Sequence, residues 1–117
     1  MKYVSTRGNA EVLEFEDAVL AGLARDGGLY VPESWPEFSD EDIADLAGLP
    51  YAEVAARVIL PFTGGAIEHD ELLNLVDRAY ADFAHRAIVP VRQMTADHWL
   101  MELFHGPTLA SKTWRCR

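Results

Sequence analysis

Between His69 and Phe83 the apolar residues Leu72, Leu73, Val76, Ala79, Tyr80 and Phe83 recur at i, i+3, i+4 and i+7 spacings. Asp70, Glu71, Asp77, Arg78 and Asp82 occupy the other side. This period predicts an amphipathic helix that must bury one stripe. A helix of that length is marginal alone in water, so the rest of the chain has to supply a surface for it. With 117 residues, half of them apolar and a quarter charged, the chain can build a core, as one compact domain or as part of a larger protein.

The remaining sequence is broken by glycine and proline into short elements. Lys2 to Ser5 reads as a strand and Arg7-Gly8-Asn9 as a turn. Phe15 to Ala24 has helical spacing, with Val19, Leu20 and Leu23 as its apolar side and Glu16 and Asp17 at its positive end, before a stop at Asp26-Gly27-Gly28. Leu29-Tyr30-Val31 is an extended run closed by Pro32. Ser39, followed by three acidic residues, is an N-cap for a short helix carrying Ile43 and Leu46 and ending at Gly48. A second short helix starts near Pro50, turns Val54, Val58 and Ile59 inward, and is expected to end at Pro61. Ile88 to Val91 and Trp99 to Phe104 are apolar enough for two strands.

Charge and composition exclude several functions. Ten Lys plus Arg against nineteen Asp plus Glu give a formal charge of -9. Such a surface repels phosphate backbones, which argues against nucleic-acid binding. The single Cys116 excludes an intrachain disulfide and fits a reducing compartment. Met1 to Gly8 has no apolar leader core, and no run approaches a bilayer span, so a cytoplasmic location without membrane association is expected. His69, His85, His98 and His105 lack metal-ligand spacing, so no metal site is expected. No nucleophile elbow, P-loop or dinucleotide fingerprint is present. Gly27-Gly28 and Gly64-Gly65 are read as helix stops and turns.

One segment carries a chemical layout. Glu102-Leu103-Phe104-His105-Gly106-Pro107-Thr108-Leu109-Ala110-Ser111-Lys112 runs from an apolar strand through a His-Gly-Pro turn into small residues bearing one lysine. A lysine so placed can present its amine at the end of a strand for Schiff-base chemistry. The plainer alternative is a solvated lysine near a chain end.

The stretch from Glu102 to Ala110 resembles the lysine motif of the threonine synthases over nine consecutive positions. Further matches are Lys2 to Gly8, Leu20 to Pro32, Trp35-Pro36, Ala47 to Tyr51 and Pro61-Phe62, so the likeness covers about residues 1 to 112 in register. The resemblance implies an α+β fold: a small N-terminal domain of several helices with short strands, from a fold-type II enzyme of the tryptophan-synthase β-subunit group. It implies residues 1–100 as the N-terminal domain and 101–112 as the start of the cofactor region. Lys112 is then the catalytic and cofactor-binding lysine for pyridoxal 5'-phosphate. His105, Gly106, Pro107 and Thr108 would shape the turn that carries it, without a chemical step of their own. The implied reaction converts O-phospho-L-homoserine and water to L-threonine and phosphate, the cofactor serving as electron sink.

Two positions depart from the family pattern: Ser111 stands where Phe is expected and Thr113 where Asp is expected. Residues 113–117 no longer match, which suggests a frameshifted tail. A family continuation Lys-Asp-Val-Ala-Met-Gln, encoded AAG GAC GTG GCG ATG CAG, becomes Lys-Thr-Trp-Arg-Cys on loss of a single G. The chain by itself is then expected to be inactive and not to bind the cofactor. The alternatives are a stand-alone module that self-associates through the strands Ile88 to Val91 and Trp99 to Phe104, and a non-functional fragment.

Overall fold

The computed structural model describes residues 1–107, and Thr108 and Lys112 lie outside them. By packing, the chain divides at Leu73 into two units.

The first unit begins with β1 (Lys2–Ser5). This strand is the centre of a three-stranded antiparallel sheet with β2 (Leu13–Glu14) on one side and β3 (Tyr30–Pro32) on the other. The register places Tyr3 opposite Leu13 and Val4 opposite Val31. Pro32 is tolerated because β3 is an edge strand and needs no donor on its outer side. The two residues of β2 are too few to show alternation in the sequence.

Helix α1 (Phe15–Ala21) follows β2 directly and stops at Gly22, three residues earlier than its sequence pattern suggests. Leu23 instead bridges to Leu29, and the Ala24 amide donates to the Gly28 carbonyl, which closes a tight loop around Asp26-Gly27-Gly28. Of α1 only Ala18 is buried; Val19, Leu20 and Leu23, expected to face inward, are 59%, 85% and 66% exposed. Short α2 (Asp40–Ala44) has the capping box that Ser39 announces: the Ser39 hydroxyl accepts from the Asp42 amide while the Asp42 carboxylate takes the Ser39 amide. Ile43 is exposed rather than inward.

Helix α3 (Tyr51–Thr63) runs through Pro61 instead of ending there. Proline lacks the amide that the helix would use, but so near the C-terminal end the remaining turn closes, and the stop comes at left-handed Gly64 (φ 63°). Ala56 and Thr63 are its buried residues, and the Thr63 hydroxyl donates to the Leu60 carbonyl at 2.9 Å. The Tyr3 hydroxyl donates to the Phe62 carbonyl at 2.7 Å and so fastens β1 to α3, while the Trp35 ring meets Phe62 edge-on.

Helix α4 (His69–Tyr80) spans the division between the units. Of its predicted stripe Leu72 and Val76 are buried, but Ala79 is exposed and the helix ends at Tyr80, short of Phe83; Glu71, Asp77 and Arg78 are exposed as expected.

In the second unit, β4 (Val91–Gln93) and β5 (Trp99–Met101) form an antiparallel hairpin with Val91 opposite Met101 and Gln93 opposite Trp99. The strand expected over Ile88 to Val91 starts only at Val91. Ile88 is buried in a turn with φ 59°, its amide bound to the His85 carbonyl at 2.8 Å, and a left-handed residue cannot continue a strand. β5 is likewise shorter than Trp99 to Phe104, although the Glu102 amide adds one more bond, to the Pro90 carbonyl at 3.1 Å. Among the described residues no helix is long and apolar enough to cross a membrane.

Candidate functional site

Two of the local constellations that hold polar side chains in defined geometry include residues read from the sequence as loop or lysine motif. The first lies in the first unit, where β1 ends. The Ser5 hydroxyl stands 2.8 Å from both oxygens of the Asp26 carboxylate, which also accepts the Gly28 amide at 2.9 Å and the Asn9 amide at 3.0 Å. The Arg7 guanidinium donates to the Asp26 carbonyl at 3.2 Å. These bonds hold the Asp26 carboxyl below the ordinary carboxylate range: the Gly28 amide contributes most, partial burial opposes it, and Ser5, Asn9 and the Arg7 charge add to the lowering. Gly28 is required by close approach, since a Cβ there would meet the Ser5 hydroxyl oxygen and stand 3.0 Å from the Asp26 carboxylate. The donors that reach the Asp26 carboxylate, the Ser5 hydroxyl and the Gly28 and Asn9 amides, all belong to the local fold, so this cluster is a structural knot.

The second constellation lies in the second unit and contains the lysine-motif residues that the structure describes. β5 delivers Glu102, and the chain then turns through Leu103, Phe104 and His105 to Gly106. The His105 Nε2 and a Glu102 carboxylate oxygen are 2.8 Å apart. A carboxylate only accepts, so Nε2 carries the proton of this bond. Both side chains are shielded, 13% exposed for Glu102 and 18% for His105, which strengthens the bond relative to one in open water. Arg92 on β4 approaches the other Glu102 oxygen at 4.0 Å, largely in solvent. The His105 ring is flanked by Phe104 at 4.6 Å and by His85 at 5.0 Å between centroids. The His105 carbonyl accepts the Ala84 amide at 2.8 Å. Gly106 is buried and Pro107 exposed.

Of the residues singled out from the sequence, the structure thus brings His105 and Gly106 into an ordered turn with Pro107 at its rim. The partner of His105, Glu102, stands at the head of the same motif. Its i, i+3 spacing ahead of a histidine was the available signal.

A pyridoxal phosphate needs a lysine amine, and the sequence contains two lysines, Lys2 and Lys112. Lys2 is exposed on β1. Lys112, the lysine that the resemblance marks for the group, lies outside the described residues. Among the described residues no group of three His, Cys, Asp or Glu side chains can hold a metal ion.

Known proteins resemble this chain along almost its whole length. The family model described as threonine synthase N terminus matches residues 2–80. A threonine synthase of Pseudomonas aeruginosa is 54% identical over 112 residues, covering 96% of this chain and 24% of that protein. The threonine synthase of Schizosaccharomyces pombe is 40% identical over 113 residues, covering 96% of this chain and 22% of its own length. The crystal structure of threonine synthase from Brucella melitensis with bound pyridoxal phosphate superposes with a TM-score of 0.88 at 55% identity, over 97% of this chain and 24% of that one. The chain thus spans about a quarter of the length of the relatives it matches. With its small α+β architecture and its match to the family model over residues 2–80, the chain belongs to the threonine synthase N-terminal family.

Proposed function

We propose that this chain is the N-terminal part of a pyridoxal-phosphate-dependent threonine synthase, acting on O-phospho-L-homoserine and water to give L-threonine and phosphate. The observation that carries this reading is the 55% identity, over 97% of the chain, to a synthase solved with that cofactor bound. Lys112 is the residue that holds the cofactor, and His105, Gly106, Pro107 and Thr108 form the turn ahead of it. When bound, the cofactor supplies the electron sink for the reaction; this chain's share is to present the lysine amine. The division into residues 1–100, 101–112 and an aberrant tail over 113–117 belongs to the same reading. Sequencing the gene across the Lys112 codon tests the frameshift in that tail, and a synthase-like frame restored by one base supports it.

The chain spans about a quarter of the length of its relatives, and on this reading the rest of the site belongs to the remaining three quarters, so the purified chain with cofactor and O-phosphohomoserine releases no threonine. Joining residues 1–112 to the remainder of the Pseudomonas aeruginosa synthase, in place of its own N-terminal quarter, restores turnover, and Lys112→Ala removes it. A folded fusion without turnover overturns the reading. The acidic balance, a formal charge of -9, supports a protein that does not bind nucleic acid, and a cytoplasmic location belongs to the same reading.

A second reading, self-association, is favoured by the β4–β5 hairpin, whose Val91, Trp99, Leu100 and Met101 are all 48–59% exposed on both of its faces. Light scattering at high concentration reads this directly: dimers or larger species support it, and a monomer contradicts it.

A further inference from the structure

We propose that Glu102 and His105 are a positioning pair that fixes how the chain enters its lysine segment. The inference rests on the reading of Lys112 as the cofactor lysine for its purpose, but not for its geometry.

Three bonds tie this short segment down at both ends. At its start the Glu102 amide donates to the Pro90 carbonyl at 3.1 Å. At its end the His105 carbonyl accepts the Ala84 amide at 2.8 Å. Between them the shielded side-chain bond of 2.8 Å closes the i, i+3 turn. Backbone bonds alone would fix the segment's ends but leave its turn free to open. The Glu102–His105 bond removes that freedom, because the imidazole is held at Nε2 and packed between the Phe104 and His85 rings. Gly106, buried directly after His105, takes its direction from that turn, and the lysine follows six residues later. Neither residue needs to touch substrate or cofactor. Both set how the chain leaves His105 and Gly106, and the reactivity of Lys112 is the readout of that setting.

Because the chain has only two lysines, Lys2 serves as an internal reference. The test compares the intact 117-residue chain with Glu102→Gln, Glu102→Ala and His105→Ala. It measures hydrogen exchange of the Ala84 amide, the imidazole nitrogen signals of His105, and the ratio of Lys112 to Lys2 acetylation by acetic anhydride, read by peptide mass analysis. In the parent the His105 nitrogen signals show a proton on Nε2. In Glu102→Ala and His105→Ala the Ala84 amide exchanges about tenfold faster, as loss of one charge-assisted bond implies, and the acetylation ratio moves by a clear factor. Glu102→Gln, which keeps the length and an acceptor oxygen, rescues both in part.

Unchanged exchange at Ala84 overturns the pair. So does faster exchange with an unmoved acetylation ratio, which reduces the pair to a merely structural contact. Failure of the cofactor reading shows elsewhere: cofactor trapped away from Lys112 in the fusion protein, with the acetylation ratio still governed by Glu102, removes that reading and leaves the pair standing.

Discussion

The Ser5 hydroxyl is placed 2.8 Å from each oxygen of the Asp26 carboxylate, joining the end of β1 to a loop twenty-one residues further on. Ser5 is buried, and the same carboxylate caps two backbone amides, from Asn9 and Gly28. The link makes Asp26 one of the side chains on which the acid stability of the first unit depends.

Because the folded state holds Asp26 below its ordinary value, the unfolded chain binds that proton more readily. The stabilisation is therefore complete above the usual carboxylate range. It is lost as pH falls through that range towards the lower folded value. Asp42, lowered chiefly by the Ser39 hydroxyl, and Glu53, lowered chiefly by Arg57, act in the same direction. Urea midpoints measured from neutral pH downward should fall, and Asp26→Asn should fall less steeply than the parent. An identical slope in the variant would show that the knot contributes nothing to acid sensitivity.

Gly64 ends α3 with φ 63°, and a Cβ added there would strike the backbone nitrogen of Met1. Gly64→Ala combines the left-handed penalty of about 1–2 kcal/mol with displacement of the first strand. Chemical denaturation should register a loss of at least that size, and a neutral substitution would contradict the close packing of Met1 on the helix end.

Tyr3→Phe removes only the hydroxyl that donates to the Phe62 carbonyl. The expected loss is about 1 kcal/mol, with the Tyr3–Phe15 ring contact at 6.2 Å retained. Thermal melting of the variant measures it; a loss well above this would mean that the ring packing had moved as well.

Ser39→Ala abolishes the side-chain half of the capping box on α2. The helix is short and has no buried residue, so the effect is local: faster exchange of the Asp42 amide, with the global melting temperature changed little. A large global shift would contradict the isolation of α2.

Local signals in the sequence account for much of this structure. The 3.6-residue period of α4, the Ser39 cap and the glycine stops act over a few residues, and each can be read where it stands. What could not be read depends on distant partners. The Ser5–Asp26 knot joins residues twenty-one apart, and β2 exists only because β1 lies beside it. The apolar side of α1 was misjudged because period says which residues share a face, not whether anything covers it. Val19 and Leu20 are exposed among the described residues. The apolar run from Ile88 to Val91 reads as a strand, but the left-handed turn at Ile88 overrides it. At the candidate site the motif pointed to His105 and Gly106, whereas the pairing of His105 with Glu102 became visible only in the turn geometry.

The central claim, that Lys112 is the cofactor lysine of a threonine synthase whose N-terminal part this chain is, is tested most directly by chemical trapping. The fusion of residues 1–112 to the remainder of the Pseudomonas aeruginosa synthase is incubated with pyridoxal phosphate, reduced with borohydride, digested and sequenced by mass spectrometry. The account predicts the reduced cofactor on Lys112 and none on Lys2. Label on Lys2 or on a lysine of the joined portion, with Lys112 unmodified in a folded fusion, would contradict it.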